Sequence, residues 1–586
     1  MKKFLLLLVL AFLGASGYVA YLWYAGDSAE QEVYAFVPED FIFVIESDQP
    51  IQDWRGLSAS DTWKILKKSP FFADISKNAN SLDSLLEKNK KITELAKIGK
   101  LLISTHTTSS NNYDFLILLD LHDQGKLSNF AAILPPIFKK AGYQVTTETH
   151  YNYTIYRLFD TKSKETLHLS LVNNVLVASY TNQLVKQAIA HSGLANILTA
   201  EKFKNIYQKI NQEANYSMMV NYRNMDNFIK IFTPQPSDMI MGLGQTVNAS
   251  GFALNMKQSE VNFDGNTQHI DSIASYLTIF NVSGTGKIHA QNILPATTAM
   301  FTSVGFSDFK KFYGEIMSKY QKENKVEYED LQKKLAAVEK LLNLKIEKDF
   351  FSWMEDEIVT ALIPVKDSAT NTSRYAYYAM FHFDQNNYEG AKAGLDHVAR
   401  QIKRRTPFKF EKEEYRGFEI RYLGMKDFFE LFFKKMFGKI EKPHYVFLDD
   451  YVVFSNDIPS LKYVIDEYLK ENILRNNAEY KAFSQQFAGK SNIFTYLQSE
   501  TFFPYLKSSL SPESQVSITE NEAAVRAFRH IGFQMIPENG MFKTLFHAEV
   551  KEWAKPKTDV SPKPAPVIQP EIEDLPQTQN DSLGLE

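Results

Sequence analysis

The chain has 586 residues, with Lys+Arg 65 against Asp+Glu 69, a formal net charge of -4, and 44% hydrophobic, 23% charged and 13% aromatic content. That length exceeds what one core supports, so two or more domains are expected, and the balanced charge argues against nucleic-acid binding through phosphate neutralisation. Cysteine is absent, which excludes disulfides, thiolate metal sites, a cysteine nucleophile and a lipobox, so an exported chain of this kind folds by core burial alone.

At the N-terminus, Lys2 and Lys3 precede an apolar run from Phe4 to Ala25. As a helix this run would span about 33 Å, enough to cross a hydrocarbon core. Tyr18, Tyr21, Trp23 and Tyr24 gather at its outer end, where an aromatic belt belongs, and Asp27, Glu30 and Glu32 follow. Because the apolar run continues through Trp23, an uncleaved signal anchor is expected over residues 1–26, and the flanking charges put the lysines in the cytoplasm and the rest across the membrane. The competing reading is a cleaved signal peptide with its site at Ala15-Ser16-Gly17. Both readings put residues 33 onward outside the cytoplasm: an inner-membrane, single-pass protein with a periplasmic body, or a secreted periplasmic one.

Beyond the anchor the order of predicted elements repeats, dividing the body into residues 33–292 and 293–553. Phe36-Val37-Pro38 opens the first part and Ile293-Leu294-Pro295 the second. Apolar strands follow at Phe41 to Glu46 and Ala299 to Val304, each leading into a helical stretch. Strands are next expected at Leu101 to Thr105 and Ile358 to Leu362, then at Tyr113 to Leu121 and Tyr375 to Phe383. Helices follow around Leu127 to Ala141 and Tyr388 to Lys403. Leu171-Val172-Asn173-Asn174-Val175-Leu176-Val177-Ala178-Ser179 then resembles Phe447-Leu448-Asp449-Asp450-Tyr451-Val452-Val453-Phe454-Ser455. Each is an apolar run broken by two residues that tolerate positive φ, which signals a tight hairpin. Short helices come next (Gln183 to His191, Ile458 to Tyr468), then strands at Tyr216 to Val220 and Ile493 to Leu497. Paired strands close each part: Gly251 to Met256 with Glu260 to Phe263, and Phe528 to Met535 with Lys543 to Glu549. The expectation is an α+β protein: two diverged copies of a mainly antiparallel sheet-plus-helices unit, preceded by one transmembrane helix. Residues 554–586, rich in proline, read as a disordered tail.

The opening Val37-Pro38-Glu39-Asp40 and the hairpin Asp449-Asp450-Tyr451-Val452-Val453-Phe454-Ser455 resemble an exported bacterial family known only as domain of unknown function 3352. The resemblance covers most of residues 33 to 550. It brings no established activity, and no catalytic residues to carry over.

Catalytic grammar is sparse. The 12 histidines are dispersed, without His-x-x-x-His or His-Glu-x-x-His spacing, so the local signature of a helical zinc site is missing. His122 and His382 fall in corresponding strands but at different places along them. No Gly-x-Ser-x-Gly elbow occurs, and Met241-Gly242-Leu243-Gly244 reads as a turn rather than a phosphate cradle. Glu355, Asp356 and Glu357, beside Trp353, read as a solvated loop before the next strand, since adjacent carboxylates do not face one another across a substrate. Arg400, Lys403, Arg404 and Arg405 end a helix, where cations complement its dipole. No catalytic, cofactor or metal site is predicted, and no cofactor.

The segment Lys426 to Lys442 stands apart. Phe428, Phe429, Phe432, Phe433, Met436 and Phe437 recur at helical spacing, whereas the first part has only the polar Asp160 to Thr166 there. These six residues form either packing between the halves or a contact surface for a membrane or partner. The sequence reading is therefore a non-catalytic binding or scaffold protein of the cell envelope, held to the membrane by residues 4–25, with an envelope protein or lipid as partner. An apolar-ligand or lipid-binding protein and an unrecognised envelope hydrolase are the alternatives.

Overall fold

A computed structural model describes residues 32–68, 99–110, 112–121, 138–139, 142–161, 163–194, 196–211, 213–232, 243–270, 277–366, 373–405, 412–426, 428–429 and 437–553. The expected anchor, the helix around Leu127 to Ala141 except for residues 138–139, His122 and the proline-rich tail lie outside the described residues. Among the described residues, no helix is long and apolar enough to cross a membrane.

The fold is mixed α+β and its named strand pairings are antiparallel. The first strands are β1 (Phe43–Ser47), β2 (Leu101–Ser109), β3 (Asn112–Asp120), β4 (Tyr143–His150), β5 (Tyr153–Asp160), β6 (Thr166–Val172), β7 (Val175–Ser179), β8 (Tyr216–Asn221), β9 (Val247–Lys257) and β10 (Glu260–His269). A short β11 (Gly286–Lys287) precedes β12 (Met300–Gly305), β13 (Glu357–Lys366), β14 (Ser373–His382), β15 (Lys412–Tyr415), β16 (Phe418–Tyr422), β17 (His444–Leu448) and β18 (Tyr451–Ser455). The last are β19 (Lys490–Ser491), β20 (Ile493–Gln498), β21 (Phe528–Glu538) and β22 (Met541–Val550).

Twenty of these strands form one sheet. From its first edge it runs β4-β5-β6-β7-β3-β2-β1-β8-β9-β10. From the opposite edge it runs β15-β16-β17-β18-β14-β13-β12-β20-β21-β22. Taken in chain order, the two series of ten strands are connected in the same sequence. They meet where β10 pairs with β22, Glu260 facing Glu549 and Thr267 facing Phe542. The remaining pair, β11 with β19, forms a separate two-stranded ribbon.

Local chemistry explains the turns. β6 and β7 are joined by Asn173-Asn174, β17 and β18 by Asp449-Asp450, and the first residue of each pair has φ 53. Asparagine and aspartate tolerate this left-handed conformation because their short polar side chains bond locally. Hairpins β4–β5 and β15–β16, which the sequence reading passed over, extend each edge. Between β12 and β13 lie two helices, Phe309–Glu323 and Lys325–Leu342, capped by the side chains of Asp308 and Asn324.

Strand alternation divides the core. In the second half, Val359, Ala361, Met380, Val453 and Leu461 pack on one face of the sheet. Ile358, Phe381, Phe454, Leu395 and Phe350 pack on the other. In the first half Leu102, Leu116, Leu118, Val177 and Val185 form a cluster under helix Asn182–His191. Period-two alternation is what places one strand's residues in two different cores.

Of the aromatic segment, Phe428, Phe429 and Phe437 are buried, at 1%, 0% and 2% exposure. They pack in the second half's own core: Phe429 stacks on Phe381 at 5.6 Å, and Phe428 meets Phe350 edge-on at 5.0 Å. Phe432, Phe433 and Met436 lie outside the described residues.

Candidate functional site

The same alternation that sends Val359, Met380 and Val453 into one core carries Glu357, His382 and Tyr451 to the end of that face. Asp450 belongs to the tight turn before Tyr451, and Asp356 immediately precedes β13. His289 comes from the segment between β11 and the short helix Ala290–Asn292. Gly286 lets that segment lie against the site, because a Cβ there would fall 2.0 Å from the Asp356 carbonyl oxygen.

At the floor, Glu357 is 1% exposed. It accepts hydrogen bonds from the Ser303 and Tyr451 hydroxyls, and from the His289 backbone N–H at 2.9 Å. Burial pushes its carboxyl up to about 7, against the pull of the Ser303 and Tyr451 bonds. The two imidazoles above it are stacked, with ring centroids 4.3 Å apart and planes 11° from parallel. His382 Nδ1 lies 2.8 Å from Asp356 Oδ1, and Nε2 lies 3.4 Å from Asp450 Oδ2. Burial alone would lower the His382 imidazole, but Asp356 and Asp450 outweigh it and push it up to about 9. Burial and the neighbouring His382 together lower His289. Burial works against the Asp356 carboxylate, yet His382 and the Lys287 backbone N–H hold it below its ordinary range.

The site is not saturated by hydrogen bonds. The short approach of His382 Nδ1 to Asp356 Oδ1 is an ion-pair contact without hydrogen-bond alignment. Both atoms, and Asp450 Oδ1 as well, are buried without a hydrogen-bond partner. One ligand atom each from His289, His382 and Asp450 lie within 4.8 Å of one another, an arrangement that could hold a metal ion.

The corresponding place in the first half has different chemistry. The β3–β7 ladder sets Asp120 opposite Val175, as the β14–β18 ladder sets His382 opposite Tyr451. Asp120 and Asn174 therefore stand where His382 and Asp450 stand, and Asn174 Nδ2 donates to Asp120 Oδ1 at 2.7 Å. By the same registers Lys100 stands for Glu357 and Glu46 for Ser303. Lys100 forms an ion pair with Glu46, which also accepts from the hydroxyls of Tyr34 and Tyr207. A lysine ammonium thus neutralises the first half's floor carboxylate, whereas Glu357 is met by two hydroxyls and a backbone N–H, and the second half's histidine pairs with Asp356 and Asp450.

These findings correct the sequence reading of Glu355, Asp356 and Glu357 as a solvated loop. Glu355 is exposed, but Asp356 is partly buried and Glu357 fully so. The reason is that β13 begins at Glu357, one step earlier than expected, and its inward face includes that first residue. The sequence reading missed the cluster because its members come from residues 289, 356–357, 382 and 450, with no short spacing among them. The basic residues Arg400, Lys403, Arg404 and Arg405 end helix Tyr388–Arg405 as expected.

A second feature is an apolar cavity of about 390 Å³, lined by Leu497, Phe502, Phe503, Leu506, Val525 and Ile531 among others. It opens between β20, β21 and helix Ser499–Ser508.

The family profile described as "Protein of unknown function (DUF3352)" matches residues 87–539, and the chain belongs to that family. No curated protein and no solved structure matches it.

Proposed function

We propose that this member of the family is a membrane-tethered, non-catalytic binding or scaffold protein of the bacterial cell envelope, built from two diverged copies of one unit. The duplication reading is supported by the identical connection order of the two ten-strand series and by the paired turns at Asn173 and Asp449. The tether reading is supported by the apolar run Phe4 to Ala25 behind Lys2 and Lys3, with its aromatic outer end. The observation that carries the binding reading is the asymmetry between the copies. The first copy closes its site with the Lys100–Glu46 ion pair and the Asn174–Asp120 hydrogen bond. The second holds His382 in ion-pair contacts with Asp356 and Asp450 but leaves His382 Nδ1, Asp356 Oδ1 and Asp450 Oδ1 buried without a hydrogen-bond partner. Divergence at a few matched positions, on an otherwise shared scaffold, is how one copy acquires a site that the other lacks.

Two measurements test this. A retained anchor keeps the protein in the membrane fraction through high-salt and carbonate washing, and a mature N-terminus at Tyr18 refutes it. Affinity purification from solubilised membranes then recovers a defined envelope partner, and recovery of none counts against a scaffold.

The apolar cavity beneath helix Ser499–Ser508 favours a second reading, an apolar-ligand or lipid-binding protein. Lipid detected by mass spectrometry after gentle purification, and lost on Phe503→Asp, would favour it over the scaffold.

A further inference from the structure

We propose that His289, His382 and Asp450 form a binding site for one divalent cation of the zinc class. The inference stands apart from the envelope and scaffold readings and rests on side-chain geometry alone. Three ligand atoms from these residues already lie within 4.8 Å of one another. In a tetrahedral zinc site with Zn–N bonds of about 2.0–2.1 Å, ligand atoms stand roughly 3.3 Å apart, so the set is near that spacing before any ring moves. Two imidazole nitrogens and one carboxylate oxygen are a donor set for borderline first-row cations; magnesium and calcium prefer oxygen alone.

Three further observations point the same way. Asp450 Oδ1 is buried without a hydrogen-bond partner, an unmet acceptor that a bound cation would satisfy. Asp356 flanks His382 Nδ1 at 2.8 Å, so it stands as the outer carboxylate that orients a ligating imidazole and leaves Nε2 toward Asp450. At the positions that match His382 and Asp450 the first half has Asp120 and Asn174 hydrogen-bonded to each other at 2.7 Å, so it fills with an amide–carboxylate bond the place where the second half gathers histidine and aspartate.

The rings constrain how binding proceeds. A metal–imidazole bond lies in the plane of the ring, and His289 and His382 are stacked only 11° from parallel. Both cannot ligate one ion as they stand, so binding must swing one ring out of the stack. His289 is the freer of the two, at 24% side-chain exposure against 12%.

The test uses the untagged full chain in detergent, with zinc alone as the probe and magnesium as comparator. Equilibrium dialysis should give one zinc per chain, undisplaced by excess magnesium. Asp450→Asn, an amide that the first half already carries at Asn174, and His289→Gln should each weaken binding at least tenfold. Should either variant fail to fold, diethylpyrocarbonate footprinting of the wild-type chain decides. Zinc must then protect His289 and His382 together while leaving the half-buried His150, far from the site in sequence, as reactive as before. Absence of saturable zinc binding, undiminished affinity in either folded variant, or no protection of the pair would each overturn the proposal.

Discussion

His289 and His382 lie face to face at 4.3 Å although they are far apart in the chain, and their proximity depends on a residue that has no side chain. Gly286 approaches Asp356 so closely that a β-carbon would collide with its carbonyl oxygen at 2.0 Å. Gly286→Ala should therefore displace β11 and separate the imidazoles. We expect a loss of about 1–3 kcal/mol in urea unfolding, the usual range for forcing extra atoms into a packed place. Wild-type stability in this variant would show that the approach is not needed.

The hydroxyl of Tyr451 is a further support of the floor. Tyr451→Phe removes a donor to a carboxylate that is 1% exposed. Leaving that acceptor short of a partner should cost about 1–3 kcal/mol. Equilibrium denaturation measures it, and Ser303→Ala should act in the same direction through the other oxygen.

Phe429 tests the aromatic segment. Its ring stacks on Phe381 and meets Phe454 edge-on at 5.0 Å, within a core it shares with Phe437. Phe429→Ala should cost roughly 3–5 kcal/mol, as truncation of a buried ring usually does. A loss below about 0.5 kcal/mol, in the range of surface substitutions, would instead mark the residue as part of a surface.

Acid should weaken the second half through His530, which is 1% exposed. Burial, then the charge of Arg529, holds its imidazole down at about 4, with Lys551 acting the same way and Glu479 opposing. Tyr496 shares a 2.8 Å hydrogen bond with Nδ1. An unfolded histidine titrates near 6.5, so between about pH 6.5 and 4 the unfolded chain binds a proton that the folded chain refuses. The stability contribution is complete above that window and is lost as pH falls through it, by on the order of 2–3 kcal/mol. Unfolding midpoints at pH 7 and pH 4.5 should differ less in His530→Phe than in wild type. His168, held down at about 4 by burial and then Arg157, keeps a similar slope in both proteins.

Asn173, at φ 53, gives a control on backbone alone. Asn173→Val should be about 1–2 kcal/mol less stable than Asn173→Gly, because only the former has a β-carbon facing the left-handed penalty. Equal stability of the two in denaturant titration would contradict the assigned turn.

Much of the scaffold was legible because its signals are local. Asn173-Asn174 and Asp449-Asp450 interrupt apolar runs where positive φ is needed, and both hairpins formed there. Strands such as Tyr216–Asn221 and Ile493–Gln498 stood out by their apolar and aromatic runs. The hairpin Lys412–Tyr415 with Phe418–Tyr422 was passed over, since short edge strands rich in charge carry little apolar periodicity. The site was illegible for a different reason. His289, His382 and Asp450 are brought together by ladder register and by the approach at Gly286, and neither is encoded in neighbouring residues. The contrast between Lys100 and Glu357 becomes readable only once the two ladders are laid side by side.

The pairing of β10 with β22 has a consequence for how the molecule is made. Its two strands are separated by the other nine strands of the second series, and among the described residues β22 is the last strand to be synthesised. Until Val550 has emerged, β10 presents a bare row of peptide groups, a template for the wrong neighbour. Assembly is therefore non-local and slow at its final step, whatever the speed of the individual hairpins. Any chain truncated before Met541 would expose both β10 and β21 at once, and aggregation, rather than a stable half-molecule, is the outcome to expect from it.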